Sequence, residues 1–267
     1  MLRAAKLKAR FALGTLTLVA ALLAVGSPAA NAGKPGVAYI AVIIDDVGNS
    51  WARGLQAIRL PGPVAISVIP DLPYSTRLAQ HAHGRRKDVI LHMPMEPMER
   101  KELLSPIGLT TDMNKDRIVQ SLESGFQSVP HAVAVNNHMG SEYTSDSAAM
   151  ARLMSVIREQ NPQLFFVDSL TTPRSKVRKE ATEHGIPSLA RDVFLDNERD
   201  ETAIDRQFDK LVAIARQRGY AIAIGHPFQE TLAVLQRRLA PLSEGDVRLI
   251  PLTMLVAMKT QEREPWR

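Results

Sequence analysis

Five residues combine suitable chemistry with a shared kind of position. Asp45 and Asp46 follow Ile43-Ile44, and His92 follows Ile90-Leu91. His138 stands two asparagines beyond Val133-Ala134-Val135, and His226 stands one glycine beyond Ile222-Ala223-Ile224. Carboxylate oxygens and imidazole nitrogens are the donors used by hydrolytic divalent-metal sites, zinc foremost. The chain has no cysteine, which excludes thiolate ligation, a cysteine nucleophile and a disulfide framework.

Adjacent carboxylates repel one another unless a cation, a proton or a hydrogen-bond donor compensates. Successive side chains of an extended strand point to opposite sides. Asp45 and Asp46 are therefore expected to divide the work, one binding metal and the other handling a proton; the plainer alternative is a cap on the helix that follows. Asp46, His92 and His138 supply the carboxylate and two imidazoles of a metal site with open positions. His226 lies in Ile224-Gly225-His226-Pro227, where glycine permits close backbone approach and proline stiffens the exit. A histidine there can act as a general acid, or simply be a hydrogen-bonded rim residue.

Three further residues have two readings each. Glu96, four after His92, is an alternative oxygen ligand, a supporting partner or a loop charge. Asp168 can orient an imidazole, as carboxylates do around metal sites, or cap the turn at Ser169. Arg191, beside Asp192, can tune the acidic pair, hold a substrate oxygen or form a structural ion pair. His81, His83, His131 and His184 fall at helix ends or ahead of a strand and read as surface or cap residues.

Such residues can meet only if the elements carrying them end on one side. Apolar, β-branched runs occupy 37–44, 64–69, 88–92, 132–135, 164–168, 187–195, 220–224 and 247–252. They are continuous rather than alternating, as suits strands buried on both faces of a parallel sheet. Helical stretches fall between them at 51–59, 75–83, 115–128, 145–159, 175–184, 201–218 and 229–239. Seven or eight alternating units point to an α/β fold, a distorted (β/α) barrel of parallel strands, with a doubly wound open sheet as the alternative. In a parallel barrel the strands' C-terminal ends share one rim, where active sites are built.

Residues 1–32 read as a secretory signal peptide: Arg3, Lys6, Lys8 and Arg10, then an apolar stretch over 11–25, then Ala30-Asn31-Ala32. The apolar stretch is shorter than the roughly 20 residues of a spanning helix, so no stable membrane span is expected after cleavage and the protein is expected in the periplasm. The leader holds four of the 33 Lys+Arg and none of the 28 Asp+Glu, which leaves 29 against 28. A nearly neutral mature chain gives no support for a nucleic-acid partner. Residues 33–260 fit one large domain, with a polar tail over 261–267.

The segments Ile43-Ile44-Asp45-Asp46-Val47-Gly48, Leu91-His92-Met93-Pro94-Met95-Glu96-Pro97, Asn136-Asn137-His138-Met139-Gly140-Ser141 and Ile224-Gly225-His226-Pro227 resemble the divergent polysaccharide deacetylases. The resemblance runs from about residue 37 to residue 257. It implies a distorted (β/α) barrel, a divalent metal such as zinc, and hydrolysis of N- or O-linked acetyl groups on a glycan. It makes Asp45 the general base, Asp46 the metal carboxylate, His92 and His138 the metal imidazoles, and His226 the general acid. Polysaccharide deacetylases take both metal histidines from one His-x-x-x-His segment, whereas Glu96 holds the fourth position after His92 here. Their arginine-containing substrate motif is also absent, with Arg191 the candidate replacement.

Two other functions compete. A non-catalytic envelope module would bind a glycan or a protein on the same rim. A metal-independent glycoside hydrolase would need two carboxylates flanking a cleft, for which Asp45 and Asp168 are available. No Gly-x-Ser-x-Gly elbow and no Gly-x-x-x-x-Gly-Lys-Ser/Thr loop occurs, which argues against a serine hydrolase of that type and a P-loop nucleotide site.

Overall fold

Along the first strand, β1 (Ala38–Val47), Ile40, Val42 and Ile44 face one way and Ala41 and Ile43 the other, and all five are buried. Burial on both faces is why the run is continuously apolar. The protein is described from a computed structural model over residues 36–263. The leader expected over 1–32 lies outside those residues.

The chain continues through α1 (Trp51–Ile58), β2 (Ala65–Val68), α2 (Ser75–Gly84), β3 (Val89–Met95), α3 (Lys115–Ser128), β4 (Ala132–Met139), α4 (Ser147–Gln160) and β5 (Phe165–Asp168). It then forms α5 (Val177–Glu183), β6 (Ser188–Ala190), β7 (Val193–Phe194), α6 (Glu201–Arg218), β8 (Tyr220–Gly225), α7 (Gln229–Leu239), β9 (Val247–Leu249) and α8 (Leu252–Arg263). Side chains fix several helix starts. Asn114, Asp146 and Asp200 accept the backbone N–H groups of Arg117, Ala149 and Ala203, which would otherwise lack partners. Gly219, at φ 89°, closes α6 in the left-handed conformation.

All strand pairs are parallel, in the order β6-β5-β4-β3-β2-β1-β8-β7. The sheet curls into a distorted (β/α) barrel. Its inner cluster is built from strand residues such as Ala41, Ile43, Ile90, Ala134, Val167, Ile222 and Ile224. Buried residues of α1 to α7 join the outer cluster instead, so the helices wrap one face, unlike the doubly wound alternative. Among the described residues no helix is long and apolar enough to cross a membrane.

The sequence differs from its simplest reading in two places. The run 187–195 forms two short strands. Its first half pairs with β5 and its second with β8; Arg191 N–H donates to Asp168 O at 3.0 Å and Asp192 N–H to Ile222 O at 2.8 Å. One stave thus changes partner at its middle and joins the two ends of the curled sheet. The run 247–252 likewise stops early: β9 ends at Leu249, and after Pro251 the chain turns helical through Arg263, past the domain end expected at 260. Leu252 and Leu255 of α8 pack with Ile250 into the inner cluster. They fill the barrel end opposite the strands' C-termini, and each such leucine contributes about 1.5–3 kcal/mol by leaving water.

Candidate metal centre

The β1 strand does not run straight into its helix. Its partners on β2 are Ile44↔Ile66 and then Val47↔Val68, so three steps on β1 oppose two on β2. The extra residue is a bulge at the two carboxylates, and Asp46 sits at φ 56°. That left-handed conformation is open to Asp because its short polar side chain can bond locally. The bulge corrects the expectation that Asp45 and Asp46 point apart. Both approach one imidazole: His92 Nε2 is 3.1 Å from Asp46 Oδ1 and 3.8 Å from Asp45 Oδ2.

The β3 and β4 strands deliver the histidines. They pair His92↔Asn136 and Pro94↔His138, and the two-residue period of a strand puts His92, Asn136 and His138 toward the same mouth. His138 Nδ1 is 2.9 Å from Asp46 Oδ1, and the rings of His92 and His138 meet edge to face with centroids 5.0 Å apart. One ligand atom from each of Asp46, His92 and His138 lies within 4.8 Å of the others. His92 is buried, while Asp46 and His138 are half-buried, so the cluster has a solvent side.

Asn136, fully buried, ties these groups together. Its Nδ2 donates to Asp45 Oδ1 at 2.8 Å, and its Oδ1 accepts from the Ser67 hydroxyl at 2.9 Å and from His92 Nδ1 at 2.8 Å. An amide oxygen only accepts, so the proton sits on His92 Nδ1. The Nε2 lone pair then faces Asp46 unless a proton or a cation stands between them. The electrostatics agree. Burial disfavours charge on His92, but Asp45, Asp46 and Asn136 together hold its pKa above the ordinary imidazole value. Burial also works against the Asp46 charge, yet His138 and His92 hold that carboxyl far below the usual range. One carboxylate and two imidazoles that demand positive charge between them fit a divalent metal ion.

His226 closes β8 and approaches from the opposite side, with Nε2 3.7 Å from Asp46 Oδ2. Its Nδ1 is 2.9 Å from Oδ1 of Asp196, whose Oδ2 accepts from the His226 backbone N–H at 2.6 Å and the Thr231 hydroxyl at 2.7 Å. Burial opposes protonation of His226, but the hydrogen bond and charge of Asp196, then the charges of Asp46 and Asp45, raise its pKa. Gly225 is required here. A Cβ would meet Thr231 Cγ2 at 3.0 Å, Leu195 Cδ1 at 3.2 Å and Asp196 Oδ2 at 3.3 Å. Phe194 meets the ring edge to face and Phe228 stacks on it.

Asp45, Asp46, His92, His138 and His226 therefore converge on one mouth. Glu96 is engaged elsewhere: its carboxylate accepts from Thr111 N–H at 2.9 Å, Thr111 Oγ1 at 3.0 Å and Lys101 Nζ at 2.5 Å. It pins the loop between β3 and α3. Asp168 accepts from Leu170 N–H and the Ser175 hydroxyl, and burial raises its pKa against those bonds. It caps its own turn; the imidazole-orienting carboxylate is Asp196. Arg191 donates to the carbonyls of Ser169 at 2.8 Å and Leu170 at 3.0 Å. Burial lowers its pKa while Asp168, Asp45 and Asp192 oppose that shift, so its field reaches Asp45 without a direct ion pair.

The family model for divergent polysaccharide deacetylases matches residues 42–256. The chain belongs to that family. It is 35% identical over 237 residues to the uncharacterized protein YibQ of Escherichia coli K12, covering 89% of this chain and 71% of that one. It is 36% identical over 211 residues to an uncharacterized protein of Haemophilus influenzae, covering 79% and 74%. Among solved structures, an uncharacterized protein from Agrobacterium tumefaciens C58 is similar with a TM-score of 0.78 at 23% identity, over 82% of this chain and 89% of that one. Peptidoglycan deacetylase PdaC from Bacillus subtilis, solved as a mutant, has a TM-score of 0.53 at 11% identity, over 86% and 95%. These likenesses concern the fold.

Two residues central to this family member's mouth had no assigned role in the sequence. Asp196 follows Leu195 at the end of an apolar run, the same signal that marked Asp46 and His92. Asn136 carried no signal of its own, because an amide becomes informative only once its partners on other strands are known.

Proposed function

We propose that this divergent polysaccharide deacetylase is a metal-dependent hydrolase that removes N- or O-linked acetyl groups from a polysaccharide or related glycan. One observation carries the reading: Asp46, His92 and His138 bring donor atoms within 4.8 Å of one another, with Asp45 and His226 beside them. Asp46, His92 and His138 would hold the ion, taken to be zinc. When bound, such an ion supplies a Lewis acid for the acetyl carbonyl and lowers the pKa of water from 15.7 to about 7 in strong zinc sites.

Asp45 takes the proton of the attacking water through Oδ2, since Asn136 occupies Oδ1. The water oxygen bonds to the acetyl carbon. The bond from that carbon to the glycan nitrogen or oxygen breaks, and His226 gives its Nε2 proton to the leaving atom. Asp196 fixes the His226 ring and favours its charged form. Arg191 adds a positive field near Asp45.

Metal analysis of the purified protein, followed by acetate release from acetylated glycans, tests this function. Bound zinc with metal-dependent acetate release is the expected result. Glycan binding without acetate release would favour the non-catalytic envelope module. The basic, apolar and small-residue pattern of residues 1–32 supports export across the inner membrane to the periplasm. Cell fractionation with N-terminal sequencing checks that location, and a cytoplasmic protein retaining Met1 would reject it.

A further inference from the structure

The geometry points to Asn136 as a positioning residue that ties the base Asp45 to the metal ligand His92 and presents the ligand's Nε2 to the metal. This rests on the metal-dependent reading of the same site. The coupling is directional. Turning the amide over would set its oxygen 2.8 Å from Asp45 Oδ1, oxygen against oxygen; the Asp45 carboxylate therefore forces the NH2 group toward β1. The amide oxygen must then face β3, where the Ser67 hydroxyl also donates to it. An acceptor 2.8 Å from His92 Nδ1 puts a proton on that nitrogen, and Nε2, which faces Asp46 Oδ1 at 3.1 Å, is the nitrogen that would bind metal.

The arrangement is built rather than incidental. Asn136 and Ser67 are 0% exposed, so water cannot replace a missing partner of the amide and each lost bond is felt in full. Among the described residues, Asn136 is the side chain that hydrogen-bonds Asp45. By occupying Oδ1 it leaves Oδ2, 3.8 Å from His92 Nε2, as the oxygen that meets substrate water. A single amide thus aims the base and prepares the ligand.

Two substitutions separate the two arms. Asn136→Leu removes both, and Asn136→Asp keeps an acceptor for His92 while opposing Asp45 with a second carboxyl. The measurements are zinc affinity by chelator competition, imidazole nitrogen chemical shifts of His92 with and without zinc, and acetate release. Asn136→Leu is expected to weaken zinc binding by roughly 10–100-fold and to remove the single Nδ1–H form of His92. Asn136→Asp is expected to keep zinc affinity and the Nδ1–H form while acetate release falls about 100-fold or more.

A folded Asn136→Leu protein with unchanged His92 signals and zinc affinity would overturn the proposal, as would equal zinc loss in both variants. If Asn136→Leu does not fold, Asp45→Ala decides. Releasing the amide should give His92 mixed tautomers, and an unchanged His92 spectrum there rejects the coupling. Failure of the unaltered protein to bind zinc would instead reject the functional reading, and the metal-free His92 signals, recorded at alkaline pH where the ring is neutral, would still decide the tautomer arm.

Discussion

His226 donates from Nδ1 to Asp196 Oδ1 across 2.9 Å, and the Nε2 on the other side of its ring lies 3.7 Å from Asp46. Because Asp196 raises the His226 pKa, the protonated acid should persist above the ordinary imidazole value of about 6.5. Activity should therefore be retained through neutral pH and fall as pH rises through the raised value. Asp196→Asn should move this basic limb of the kcat/KM profile to lower pH and reduce the rate by about 100-fold or more. The stability linkage has the same sign. The contribution of the Asp196 pair is complete below the unfolded pKa and is lost as pH rises through the folded one. A basic limb that does not move in Asp196→Asn would remove His226 from the acid role.

The neighbouring carboxylates should separate cleanly. Asp46→Ala should abolish zinc binding and acetate release together. Asp45→Asn should retain zinc, because an amide oxygen can still accept from Asn136, yet lose about 100-fold or more of turnover. Calorimetric zinc titration beside acetate release measures both, and full activity in Asp45→Asn would exclude Asp45 as the base.

Zinc should stabilise the fold through the same three ligands. At 100 times the dissociation constant the expected gain is about 2.7 kcal/mol, read as a rise in melting temperature. Asp46→Ala should show no zinc-dependent rise. An equal rise in that variant would put the ion elsewhere.

Glu96→Ala should behave differently from any ligand substitution. The loss of its bonds to Thr111 should lower stability by about 1–3 kcal/mol, with zinc affinity unchanged. Thermal melts together with chelator competition test this, and a loss of zinc affinity would return Glu96 to the coordination sphere.

Much of the architecture was legible because buried parallel strands are apolar on both faces, as Ile40 to Ile44 illustrate. Strand-end placement likewise singled out Asp46, His92, His138 and His226, since the rim of a parallel barrel collects such positions. The same rule extends to Asp196, one residue beyond Leu195. What the sequence withheld depends on contacts between distant segments. The left-handed turn at Asp46 follows from a mismatch with β2. The partner change at Arg191-Asp192 requires β5 and β8 to stand on either side. Pro251 was the local sign that 247–252 could not remain a strand throughout.

The C-terminal helix has one more consequence. With Leu252 and Leu255 seated in the inner cluster and Thr253 bonded to Asp88 just ahead of β3, α8 covers the strand starts, and under the proposed function a glycan would use the doorway at the strands' C-terminal ends. A long polymer could lie across that doorway and offer one decoration at a time. Such an enzyme could work at interior positions of a chain without first finding an end.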